Sequence, residues 1–244
     1  MAIRKSVLAL ACVACALLSA CTLAPGPQSA VTVPNTTAPE PGGLSAQYAP
    51  QALGPGRVMR LQPEASQVRI YVFRAGRSAG LGHNHVLSAP QFEGYFHLAD
   101  QGLAQSRFEL VFALDQLVFD VPAQRAELGP AFAAQLSDAL VEATREHMLG
   151  ADNMQAERYP LVRIRSLSIS GEAPKLAARL AVEMHGQTRE MSIPLAVSGL
   201  PQSLQVSGAF VLRQSDFGVR PYSVMGGLLA VQDEVLVEFN LRGE

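Results

Sequence analysis

An all-β fold is what this 244-residue sequence predicts: eight antiparallel strands closing into a barrel, with a short helical insertion between strands 3 and 4. Three observations lead there. Apolar residues alternate with period two in eight separate stretches. Gly- and Pro-containing turns punctuate several of the gaps. One stretch alone, between the third and fourth strands, switches to a four-residue apolar spacing.

The chain opens with a segment that is not part of the barrel. Arg4 and Lys5 precede an apolar run from Val7 to Leu18, too short for an easy bilayer span and of signal-peptide length. Leu18-Ser19-Ala20-Cys21 follows and resembles the bacterial lipobox. Residues 1–20 are therefore expected to be a lipoprotein signal peptide, with Cys21 lipidated as the mature N-terminus. A lipid anchor of several acyl chains would hold the protein at a membrane. Thr22, rather than Asp, after the cysteine implies a periplasm-facing address at the outer membrane. The other cysteines, Cys12 and Cys15, have redox spacing but lie in the apolar run, away from any strand–helix setting.

Residues 21–64 read as a tether. Eight of the 16 prolines fall between Pro25 and Pro63, and Thr22 to Pro55 holds one charge, Glu40, and one aromatic, Tyr48. Such a stretch buries too little apolar surface to offset its ordering entropy.

Residues 65–244 are long enough for one domain with a real core. The first strand alternates Val68, Ile70 and Val72 with Arg69, Tyr71 and Phe73. The second places Phe92, Gly94, Phe96 and Leu98 on one face, and Asp100-Gln101-Gly102 turns the chain. The third carries Phe108, Leu110, Phe112 and Leu114. Phe132, Leu136 and Leu140 then recur every four residues from Pro130 to a stop at Gly150, which predicts the helix. A second short helix over Asp152–Glu157 ends at Pro160. Five strands follow, around Val162 and Ile164, Leu176–Met184, Met191–Val197, Leu204–Leu212 and Val235–Leu241. Gly94 and Gly208 fall on the apolar face and leave gaps there. A barrel of this size is filled by its own side chains or holds one ligand, and the alternation fits both.

The formal net charge of -2 argues against a nucleic-acid partner, which needs a basic face. Catalysis finds no nucleophile elbow, cysteine nucleophile, metalloprotease or phosphate-loop pattern, so no enzyme and no cofactor are expected. His83 and His85, in Gly82-His83-Asn84-His85, are the chemical candidates. Three readings stay open: they cap a turn, they meet a ligand head group, or they share a metal with His147 or Asp216.

Three stretches resemble the YceI-like family. They are Val68 through Gly82-His83-Asn84-His85-Val86 to Phe96; Arg145-Glu146-His147-Met148-Leu149-Gly150 through Tyr159-Pro160; and Leu180–Met191 with Gln214-Ser215-Asp216-Phe217-Gly218 and the approach to Val235. The sequence departs from the family pattern at Asn153 and Met154, where paired aromatics are usual. It also carries extra histidine in the Gly82–His85 turn. The resemblance implies a lipocalin-like barrel that binds lipid or polyisoprenoid. The expected function is a membrane-anchored periplasmic protein for a polyisoprenoid, quinone or fatty acyl chain. Phe92, Phe96, Phe108, Phe112, Leu180, Phe210 and Phe239 would line its site, with His83 and His85 at one end. The alternatives are a closed-barrel envelope interaction or stress module and a metal site at the histidine turn. Self-association into a homodimer stays open.

Overall fold

In the computed structural model, residues 43–244 are described, and Cys21 and the expected signal peptide, residues 1–20, lie outside them. The described strands form one sheet whose ladders are antiparallel throughout. They are β1 (Gly56–Arg60), β2 (Gln67–Ala75), β3 (His85–Ser88), β4 (Glu93–Ala99), β5 (Arg107–Ala113), β6 (Val118–Phe119), β7 (Leu161–Glu172), β8 (Lys175–Met184), β9 (Gln187–Ser198), β10 (Leu204–Arg213), β11 (Ser223–Val224) and β12 (Leu229–Gly243). The helices are α1 (Gly43–Gln47), α2 (Pro122–Glu127) and α3 (Asp138–Leu149).

The order β1-β4-β5-β7-β8-β9-β10-β12-β2-β3-β6, with β11 on β12, corrects the sequence reading in two ways. Twelve strands are formed rather than eight, because β1, β3, β6 and β11 are too short to show a period. Consecutive pairing also fails near the start: β2 pairs β12 and β3, whereas β4 pairs β1 and β5. The sheet curls around one apolar core. Its curl brings the end of β1 against the end of β12, where Arg60 and Glu244 exchange N–H···O bonds of 2.7 and 3.1 Å.

The tether expected to reach residue 64 is folded from Gly43 onward. Leu44 and Tyr48 are buried, Met59 is fully buried in β1, and Tyr48 stacks on Tyr95 with ring centroids 5.4 Å apart. Proline content misleads here because five residues of β1 find a partner in β4. The two gaps on the apolar face are also closed. Leu61 lies where a Gly94 side chain would stand, and the Phe239 ring covers Gly208, its cross-strand partner.

Pro130 begins only a single 3₁₀ turn, Pro130–Phe132, and the predicted helix starts later, at Asp138. Ser137 sets that start, its Oγ accepting from Leu140 N at 3.3 Å. Residues 151–158 form turns instead of a second helix. They are closed by Met154 N to Met148 O, 3.0 Å, and Ala156 N to Leu149 O, 2.9 Å.

Candidate functional site

Inward positions of the long strands enclose a cavity of about 170 Å³. It is lined from Leu61 and Leu204 at one end of the strands to Leu212 and Gln214 at the other, with Met148, Leu149 and Met154 from α3 and its following turn. Gln214 contributes the single polar side chain of the lining. Phe96, Phe108, Phe112, Leu180, Phe210 and Phe239 are brought together on its wall. Phe92 is not among them. It precedes the first β4–β5 pair, Glu93 with Val111, and packs on the core from outside that ladder.

Three groups hold the α3 end in place. Arg145 Nη1 donates to Leu117 O at 2.6 Å and Nη2 to Asp115 O, with the guanidinium 5.4 Å from the Phe119 ring centroid. Asn153 donates from Nδ2 to Arg220 O at 2.9 Å. His147 meets Tyr222 edge to face, 4.6 Å between centroids. Across the β8–β9 hairpin, His185 and Gly186 have φ of 52° and 69°, a pair of left-handed residues that a two-residue hairpin loop demands.

The histidine turn does not line the cavity. His85 Nδ1 lies 2.6 Å from Asp120 Oδ2, and Asp120 Oδ1 accepts from Val86 N at 3.0 Å and Arg125 Nη1 at 2.5 Å. Arg125 also donates to Asn84 O at 2.8 Å and Ala134 O at 3.3 Å. Asn84 closes the circuit, accepting from Arg74 N at 3.0 Å and donating to Ala131 O at 3.1 Å. The cluster fastens the α2 segment to β2 and β3, and Phe132 packs edge-on against Tyr71 and Phe73 beside it. Among the described residues no group of three or more His, Cys, Asp or Glu is placed to hold a metal ion.

Burial raises the Asp120 carboxyl, but its bonds to His85, Val86 and Arg125 outweigh burial and hold it below the ordinary carboxylate value. His83 is lowered, first by burial and then by His85, Arg125 and Arg74. A depressed carboxyl contributes stability that is complete above its unfolded value of ~4 and is lost as pH falls through the folded value. Wild type is therefore expected to lose more unfolding free energy than Asp120→Asn on going from neutral pH to below about pH 4. Urea melts at both pH values measure this, and equal losses would contradict it.

Sequence reasoning missed Asp120, Arg125 and Gln214. Nothing local marks the first two, since Asp120 serves a histidine 35 residues away. Gln214 carried a signal: Leu204, Val206, Phe210 and Leu212 set an inward period of two that its position continues.

The YceI-like domain family model matches residues 59–242. No curated protein gives a significant match. Among solved structures, Burkholderia cenocepacia BcnA is similar with a TM-score of 0.54 at 15% identity, over 75% of this chain and 98% of BcnA. The Campylobacter jejuni YCEI protein has a TM-score of 0.43 at 10% identity, over 63% of this chain and 83% of its own. At 15% identity the first likeness concerns the fold alone.

Proposed function

Because this chain belongs to the YceI-like domain family, we propose that it binds the apolar chain of a lipid or isoprenoid inside its curled sheet, without enzymatic activity. One observation carries the reading: the interior holds a cavity whose lining is apolar except for Gln214. Phe96, Phe108, Phe112, Leu180, Phe210 and Phe239 form the contact surface, and burying a chain among them yields ~25 cal/mol per Å² of apolar area. Lipid on Cys21 keeps the domain at the outer membrane, facing the periplasm, where such chains are found.

Volume sets the terms of binding. A dry apolar cavity of ~150 Å³ takes up benzene, whereas drug-sized ligands occupy ~300–1,000 Å³. The 170 Å³ present here fits part of a chain, so a longer one must displace side chains. Met148, Met154 and Met184 on the lining are suited to that, being unbranched and adaptable. The same volume favours a second reading, in which the domain stays closed and serves as an envelope interaction module.

Native mass spectrometry of the protein purified from its host's envelope, followed by organic extraction, separates the two. Near one acyl or prenyl species per chain is the expected result. A clean unliganded mass that takes up no added prenol or fatty acid would sink the binding reading and leave the interaction module.

A further inference from the structure

Gln214 follows the last residue of β10 and is 93% buried by virtue of an exposure of 7%. Its position is over-determined. Nε2 donates to Gln232 O at 2.8 Å, its backbone N–H donates to Asp233 O at 3.0 Å, and its carbonyl accepts from Phe217 N and Val219 N at 3.1 Å each. The Nε2 bond fixes which way the amide faces. Oε1 then accepts no hydrogen bond from any described residue, although the side chain lines the cavity.

A polar side chain on an otherwise apolar cavity wall is unfavourable unless its acceptor finds a donor. Water is a poor one here. A buried water needs two to four polar partners, and the lining offers one polar side chain. A ligand whose apolar tail already fills the cavity can supply the missing donor from its head.

We infer that Gln214 Oε1 anchors the ligand's head, and that this head donates a hydrogen bond: a primary alcohol, an amide or a protonated carboxylic acid ending an apolar chain. The inference rests on the apolar-ligand reading above. A quinone head only accepts, so it leaves Oε1 unpaired and desolvated. A site built around a polar group discriminates against ligands that cannot pair with it.

The test compares geraniol with its methyl ether, which has the same chain and no donor. Binding of each to the full-length protein in mild detergent is measured for wild type, Gln214→Leu and Gln214→Glu. Wild type is expected to prefer geraniol by roughly two- to tenfold, the net worth of one neutral hydrogen bond. Gln214→Leu should bind the ether as wild type does and lose the preference. Gln214→Glu, which keeps an acceptor there, should retain it. The ether thus reports that each variant still folds around a chain. Equal wild-type affinities, or a preference that survives in Gln214→Leu, overturn the role of Gln214 while leaving apolar binding intact. Binding of neither probe by wild type overturns the apolar-ligand reading itself.

Discussion

Asp120→Ala is expected to lower the unfolding free energy by about 3–5 kcal/mol, because it strands a buried guanidinium. The side chain of Asp120 is 0% exposed and that of Arg125 is 6% exposed, so water cannot take over the lost contact. The same change also leaves Val86 N–H without its acceptor. Asp120 has φ of 49°, a left-handed conformation that Asp tolerates and Ala does not, which adds strain. For a domain of this size the loss corresponds to a melting temperature on the order of 10 °C lower. The double variant Asp120→Ala, Arg125→Met should recover much of the loss, since an apolar pair replaces a lone charge. Thermal and urea unfolding measure both. A single-variant loss below about 1 kcal/mol would mean that solvent reaches Arg125 after all.

Leu180→Ala is expected to cost about 2–5 kcal/mol by enlarging a space that already exists. Leu180 is 1% exposed on β8, opposite Met191 on β9, and faces the cavity. Its distinguishing outcome is rescue. A ligand that fills the enlarged space should raise the variant's melting temperature more than the wild type's, since binding to the native state adds stability by mass action. Melting curves with and without a saturating branched prenol decide it. Equal shifts in the two proteins would place the ligand away from Leu180.

The long strands were legible because their inner and outer faces differ. In β10, Leu204, Val206, Phe210 and Leu212 alternate with Gln205, Ala209 and Arg213, and the period survives any tertiary detail. β2 shows where such reading fails. Tyr71 and Phe73 look outward by alternation, yet Phe132 covers them, so the strand is buried on both faces. Asp233-Glu234, just before the last apolar alternation, sits within β12 at a register shift. There Asp233 Oδ1 accepts from Ser215 N at 2.8 Å. The histidine turn was legible as a place of chemistry but not as to its partner. Asp120 reaches it only after β6 pairs with β3, a contact of two residues with no pattern of its own. The cavity wall was legible from period two, whereas its remaining volume depends on how Leu61 and Phe239 occupy the glycine gaps.

The bonds between Arg60 and Glu244 join strands from opposite ends of the domain's sequence. Such non-local pairing carries a large loop-closure cost and forms late in folding. Until it forms, β1 and the last residues of β12, beyond Asn240, its final residue paired with β2, present unpaired edges, and open edges are templates for association with other chains. A newly made copy therefore passes through an aggregation-prone interval on its way to the folded state, and factors that shield strand edges would act on it then.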